Sequence, residues 1–237
     1  MTKFAIAISV ALVALVAVVV ADDDPQALQD ATIIETLLRL ENFDLESSAK
    51  GKAAVERYLK RERGSDRYFE LIEKFEIKSA ADDLLALAVE KPGETAGVRA
   101  AQLLFKQGQE NLLTGAIESD DAERAAAVVQ ALGLCNDPRV AEILGPLVAE
   151  KKKSLAVRSA AARALGRSLD GQRRLLKLAV DGALPADLKF TTADILLSSR
   201  DVAIQKEAAK HLELPASSGE TPLPPIADSG PAAACTR

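Results

Sequence analysis

The sequence predicts an all-α fold, an α-solenoid of stacked antiparallel helix pairs with no significant β structure. Three observations predict it. A helix–glycine–helix unit is clearest at Ser154–Leu165 (SLAVRSAAARAL), followed by Gly166 and the leucine-rich LLKLA of Leu175–Ala179. Imperfect versions flank it, and a unit of this size cannot bury its own apolar face, so its copies must stack. Apolar residues make up 48% of the chain but aromatics only 3%, without Trp; a core of Ala, Leu and Val suits short helices in close contact better than a sandwich or barrel. Finally, no stretch alternates apolar and polar residues with period two.

Taken in order, residues 1–21 read as a signal peptide: Lys3 is the positive n-region, Ala5–Val20 the apolar core, and Val19-Val20-Ala21 a small-residue end before three aspartates. Cleavage after Ala21 exports the chain to the periplasm or beyond; the alternative is an uncleaved anchor over residues 4–21, just long enough to span a bilayer. Residues 22–78 form a helical region ahead of the array. Asp24-Pro25 is a helix start, with Leu28, Ile33, Ile34, Leu37, Leu38 and Leu40 on a helix to about Leu40. A second helix runs from about Ser48 to Glu62. A third starts at Ser65, with Phe69, Ile72 and Phe75 spaced by helical turns. The dense charge of this region (Glu56, Arg57, Lys60, Arg61, Glu62, Arg63) is expected on exposed helix faces.

Residues 79–213 form the repeat domain. Ser79 with Asp82 resembles a capping box, leading into Leu84-Leu85. One local pattern then recurs: a capping residue, two residues, one apolar or acidic residue, Arg or Gln, then alanines. Its copies begin at Thr95, Asp120, Ser154 and Asp201. The first three run into Gly108, Gly133 and Gly166, each suited to the left-handed residue that ends a helix. Apolar pairs mark the second helices at Leu84-Leu85, Leu112-Leu113, Ile143-Leu144 and Leu175-Leu176. Pro185–Ser198 reads as a degenerate first helix without a partner of its own. Residues 214–237, rich in Pro, Ser, Gly and Ala, cannot build a core and are expected to be disordered.

Val157-Arg158, Ala160-Ala161-Ala162 and Leu165-Gly166, with a leucine-rich second helix, resemble the HEAT and HEAT-like repeat family. That resemblance covers roughly residues 79–212 and implies a scaffold that binds a protein partner. A narrower resemblance lies in the order of segments. An export signal, HEAT-like repeats, then Leu214-Pro215 and Pro222-Leu223-Pro224-Pro225-Ile226 is similar to the region preceding the cytochrome c module of large exported bacterial haem proteins. No C-x-x-C-H is present to attach a haem, so no cofactor is implied for this chain.

No catalytic or metal-binding constellation appears. His211 is the only histidine, late in the last helix, and reads as a surface residue. Cys135 in a loop and Cys235 in the tail could pair in an oxidising compartment. Asp22-Asp23-Asp24 and Asp82-Asp83 lack the pattern of a calcium loop and read as helix caps. Arg99, Arg124 and Arg158 recur at matching points of their helices, either as a ladder of ion pairs between repeats or as one edge of a concave binding face. The formal charge of −5 argues against a nucleic-acid partner. The leading expectation is an exported, non-catalytic scaffold that binds a protein through its concave face. The alternative is an accessory or shortened part of an exported c-type haem redox protein, and a lyase activity, found in some HEAT-like proteins, is a further implication of the resemblance.

Overall fold

The computed structural model describes residues 24–212, which fold into twelve α-helices and short 3-10 turns, with no strand among them. The chain divides into two compact units, one up to Lys78 and one from Ser79. The segment expected to be a signal peptide, the segment expected to be a disordered tail, and Cys235 lie outside the described residues.

The first unit packs α1 (Pro25–Arg39), α2 (Ala49–Arg61) and α3 (Asp66–Lys74) around Ile34, Leu37, Val55, Leu59, Tyr68, Phe69 and Ile72. Asp24, Ser48 and Ser65 cap the three helices through their side-chain oxygens. Leu28, expected on the apolar stripe of α1, is 57% exposed, and the position four residues before Ile34 is held by the fully buried Asp30. The reason is electrostatic. Arg57 donates to both Asp30 oxygens at 3.0 and 2.7 Å, and Arg61 lies 3.8 Å away. These two arginines of α2 stay exposed yet reach across to a buried carboxylate, so part of the charge expected to face only solvent ties α2 to α1. Lys74 closes the C-terminal end of α1 by donating to the carbonyls of Leu38 and Leu40, both at 2.7 Å.

The second unit comprises α4 (Ala81–Glu90), α5 (Thr95–Lys106), α6 (Glu110–Glu118), α7 (Ala122–Leu132), α8 (Arg139–Ala149), α9 (Leu155–Leu165), α10 (Leu169–Val180), α11 (Lys189–Leu197) and α12 (Val202–His211). They stack as an all-α solenoid. The helices α5, α7, α9 and α11 form one row, each packed on the next, while α8, α10 and α12 form the facing row. The alanine-rich α9 packs more extensively on the preceding α8 than on the following α10, so the sequence unit Ser154–Ala179 is not the tightest structural pair. Pro185–Ser198 does have partners: α11 occupies the next place after α9 in its row and pairs with α12. The Asp201 copy of the pattern therefore begins a helix of the facing row.

Ser154 and Asp201 cap their helices as the sequence implies. Three starts differ. Ser79 sits in a 3-10 turn and makes no cap for α4; Thr95 is the first residue of α5, after Glu94; and Asp121, not Asp120, caps α7, accepting from the N–H groups of Glu123 and Arg124. Of the three terminal glycines, only Gly108 is left-handed, at φ 69°. Gly133 and Gly166 are right-handed helical, and what they provide is proximity. A Cβ on Gly133 would sit 2.6 Å from Ala164 Cβ, and one on Gly166 would sit 2.6 Å from Ile195 Cγ2. Each lets the end of one row helix touch the end of the next, so α7, α9 and α11 run parallel.

Candidate interaction surface

The parallel packing of α7 and α9 leaves an open groove of roughly 690 Å³ along their outer sides. Its floor is small: Ala126 and Ala127 from α7, Ala156, Ser159 and Ala160 from α9. These residues face outward because Val128, Val129 and Leu132 of α7, and the equivalent Ala161, Ala162 and Leu165 of α9, take the buried positions. At the end where both helices begin stand Glu123 and Leu155; at the other end stand Gln130 and Arg163, with Pro92 from the α4–α5 loop. Glu123 and Arg163 are exposed, and neither makes an ion pair among the described residues. Leu155 is 50% exposed, an uncovered apolar side chain at the groove's rim. Phe190 on α11, 64% exposed, holds the register of Ser159, since Leu188, Thr192, Ala193 and Leu196 repeat the burial of Val157, Ala161, Ala162 and Leu165 one repeat on.

The three recurrent arginines do not form one line. Counted from their caps Glu94, Asp121 and Ser154, Arg99 is fifth, Arg124 third and Arg158 fourth. Successive helical residues turn by about 100°, so they point in three directions. The shifted caps of α5 and α7 are the cause. Arg158 is buried and joins repeats: its Nη1 donates to Asp187 Oδ1 at 2.9 Å, Nη2 reaches Oδ2, and Nε donates to the Lys153 carbonyl at 3.1 Å. The guanidinium holds the Asp187 carboxyl below the usual carboxylate range. A second hollow of roughly 630 Å³, lined by Lys151, Arg158 and residues 182–187, surrounds this pair. Arg124 is exposed and Arg99 half-buried.

Other side chains stitch the repeats together without a signal in the local pattern. Arg139 stacks its guanidinium 4.5 Å from the Phe105 ring centroid while bound to Asp137, fastening the start of α8 to the end of α5. Lys153 donates to the Ile117 carbonyl at the end of α6, and Gln102 to the Cys135 carbonyl. Gln172 donates to the Gly166 carbonyl and accepts from Ser199. Each is a long side chain capping a helix end or loop that lies near it only after stacking.

Cys135 is 4% exposed, its Sγ 3.3 Å from the Ala131 carbonyl it donates to. Burial pushes this thiol up to about 12, which keeps it protonated and unreactive. His211 lies in the last turn of α12, 3.4 Å from Glu207. Asp82 and Asp83 occupy the first turn of α4, and no group of three metal-ligating side chains occurs among the described residues.

Residues 110–185, from the start of α6 to the turn before α11, match the family model described as HEAT repeats. The matched stretch contains all of α7 and α9 and so both walls of the groove. No curated protein and no solved structure matches the chain.

Proposed function

We propose that this chain is a non-catalytic scaffold that binds a protein through the outer surface of its α5–α7–α9–α11 row. The observation that carries the reading is the groove between α7 and α9. It is an alanine-floored channel inside the HEAT-repeat stretch, bordered by the exposed Leu155 and by two charges that make no ion pair among the described residues. Buried positions in a repeat stack are occupied by what holds neighbours together. These alanines lie outside the buried core, half-buried or exposed, and a small-residue floor admits the close approach of another backbone. Export is part of the same proposal and rests on residues 1–21. The haem-protein alternative draws its support from segment order alone.

The test is capture of partners from the organism's own extract by the full chain and by Ala127→Glu, which places a charge on the groove floor at a position outside the buried core, with circular dichroism to show that the variant keeps its fold. A protein retained by the native chain and lost from the variant supports the reading. Retention identical in both, or none in either, contradicts it.

A further inference from the structure

We propose that the occupant of the α7/α9 groove is the same groove of a second copy of this chain, docked across a two-fold axis. The inference rests on the reading of this face as protein-binding and gives it a partner. Its ground is the order of charges along the groove. Both helices run the same way, with Glu123 at their common start and Arg163 at the other end. Arg163 holds the register of Gln130, seven residues beyond Glu123, so the two charges are separated by about 10 Å along the helix direction.

A two-fold axis through the middle of the groove reverses that direction in the second copy. Each Glu123 then meets the partner copy's Arg163, giving two equivalent ion pairs, while the axis itself passes over Ala126, Ala127, Ser159 and Ala160. An isologous interface requires a patch complementary to itself under this operation, and an acid–alanine–base order satisfies it. The small floor permits the short interaxial distance at which helices pack. Leu155, at the acidic end, comes to lie over the partner copy's Gln130 and the aliphatic stem of its Arg163, which covers an apolar side chain now in water. Any partner carrying a single sign of charge would satisfy one end of the groove and be repelled at the other. In the dimer both ends are satisfied.

The test is sedimentation equilibrium on the purified full chain, with far-UV circular dichroism to show that each variant keeps its fold. The native chain is expected to dimerise reversibly with a dissociation constant in the micromolar range, on the order of 1–10 µM. Arg163→Glu and Glu123→Arg each weaken the dimer by about tenfold or more, because each brings like charges together at both ends. The double variant Glu123→Arg/Arg163→Glu restores the opposite pairing and returns the constant to within about threefold of native. A native chain that stays monomeric to about 100 µM overturns the proposal, as does a dimer insensitive to both single reversals. A monomeric chain that captures a foreign protein, and loses it on Ala127→Glu, also overturns self-association but leaves the protein-binding reading standing.

Discussion

The sharpest stability test of the stacked arrangement is Gly171→Ala. Gly171 lies in the first turn of α10, where that helix doubles back against the end of α9. A Cβ at this position would sit 2.1 Å from the Leu165 carbonyl oxygen and 2.7 Å from both its carbonyl carbon and its Cα. Every atom it meets is backbone, so no side chain can swing aside. Relief requires α10 to move off α9 by roughly 1 Å, which strains the packing of both with their neighbours; overpacking of this kind costs about 3 kcal/mol. The alanine returns about 1 kcal/mol of helix propensity, for a net loss of about 2 kcal/mol. In a unit of this size that lowers the midpoint of thermal unfolding by about 6 °C. The control is Gly115→Ala. Gly115 lies inside α6, exposed, with no atom within 4 Å of the Cβ it lacks, so the same substitution should stabilise by about 0.5–1 kcal/mol. Urea and thermal unfolding followed by circular dichroism compare the two. Equal effects, or a stabilised Gly171→Ala, would refute the close approach of α10 to α9 described above.

Further outcomes follow from the charged and thiol groups. Replacing Arg158 by Ala removes the inter-repeat pair, the bond to Lys153 and the packing of a buried stem, and should destabilise by about 2 kcal/mol, whereas Asp187→Asn, at a half-exposed carboxylate, should cost less than about 1 kcal/mol; both are read by urea unfolding. Asp30 is held down to about 2, first by its hydrogen bonds from Arg57. A carboxyl depressed in the folded state stabilises above its ordinary range, near 3.8, and loses that contribution as pH falls toward 2. Unfolding of the native chain measured between pH 5 and 2 should therefore show a stability loss below about pH 4 that is shallower in Asp30→Asn. In a Cys235→Ser chain, Cys135 should resist a thiol reagent at pH 8 under native conditions and react promptly in denaturant; rapid native labelling would contradict its burial.

The local grammar of the chain was legible because it is made of local bonds. Ser48, Ser65, Ser154 and Asp201 accept from an N–H two or three residues on, and such a cap depends on nothing distant. The absence of strand and the helical solenoid followed from the same periodicity. What pattern alone misplaced depends on stacking. Whether α9 leans on α8 or α10 is a choice between two neighbours equally near in sequence, decided by how the rows interlock. Gly133 and Gly166 look like left-handed helix ends until Ala164 and Ile195 are seen against them. Nothing local marks Asp30 as buried; its partner Arg57 comes from 27 residues away. The groove is hardest of all to see in sequence, since its alanines resemble the buried alanines beside them. Only the register that assigns Ala161 inward and Ala160 outward separates the two kinds.

That register is also what the functional reading depends on, and photo-crosslinking from single positions tests it most directly. A photoreactive residue at Ser159, on the groove floor, should give a discrete adduct with a protein when the chain is expressed in its own host. The same residue at Arg173, exposed on α10 of the facing row, should give none. Adducts from Ser159 alone, whether to a second copy or to another protein, are the result expected of a covered α7/α9 face. Equal adducts from both positions, or none from Ser159, would contradict it.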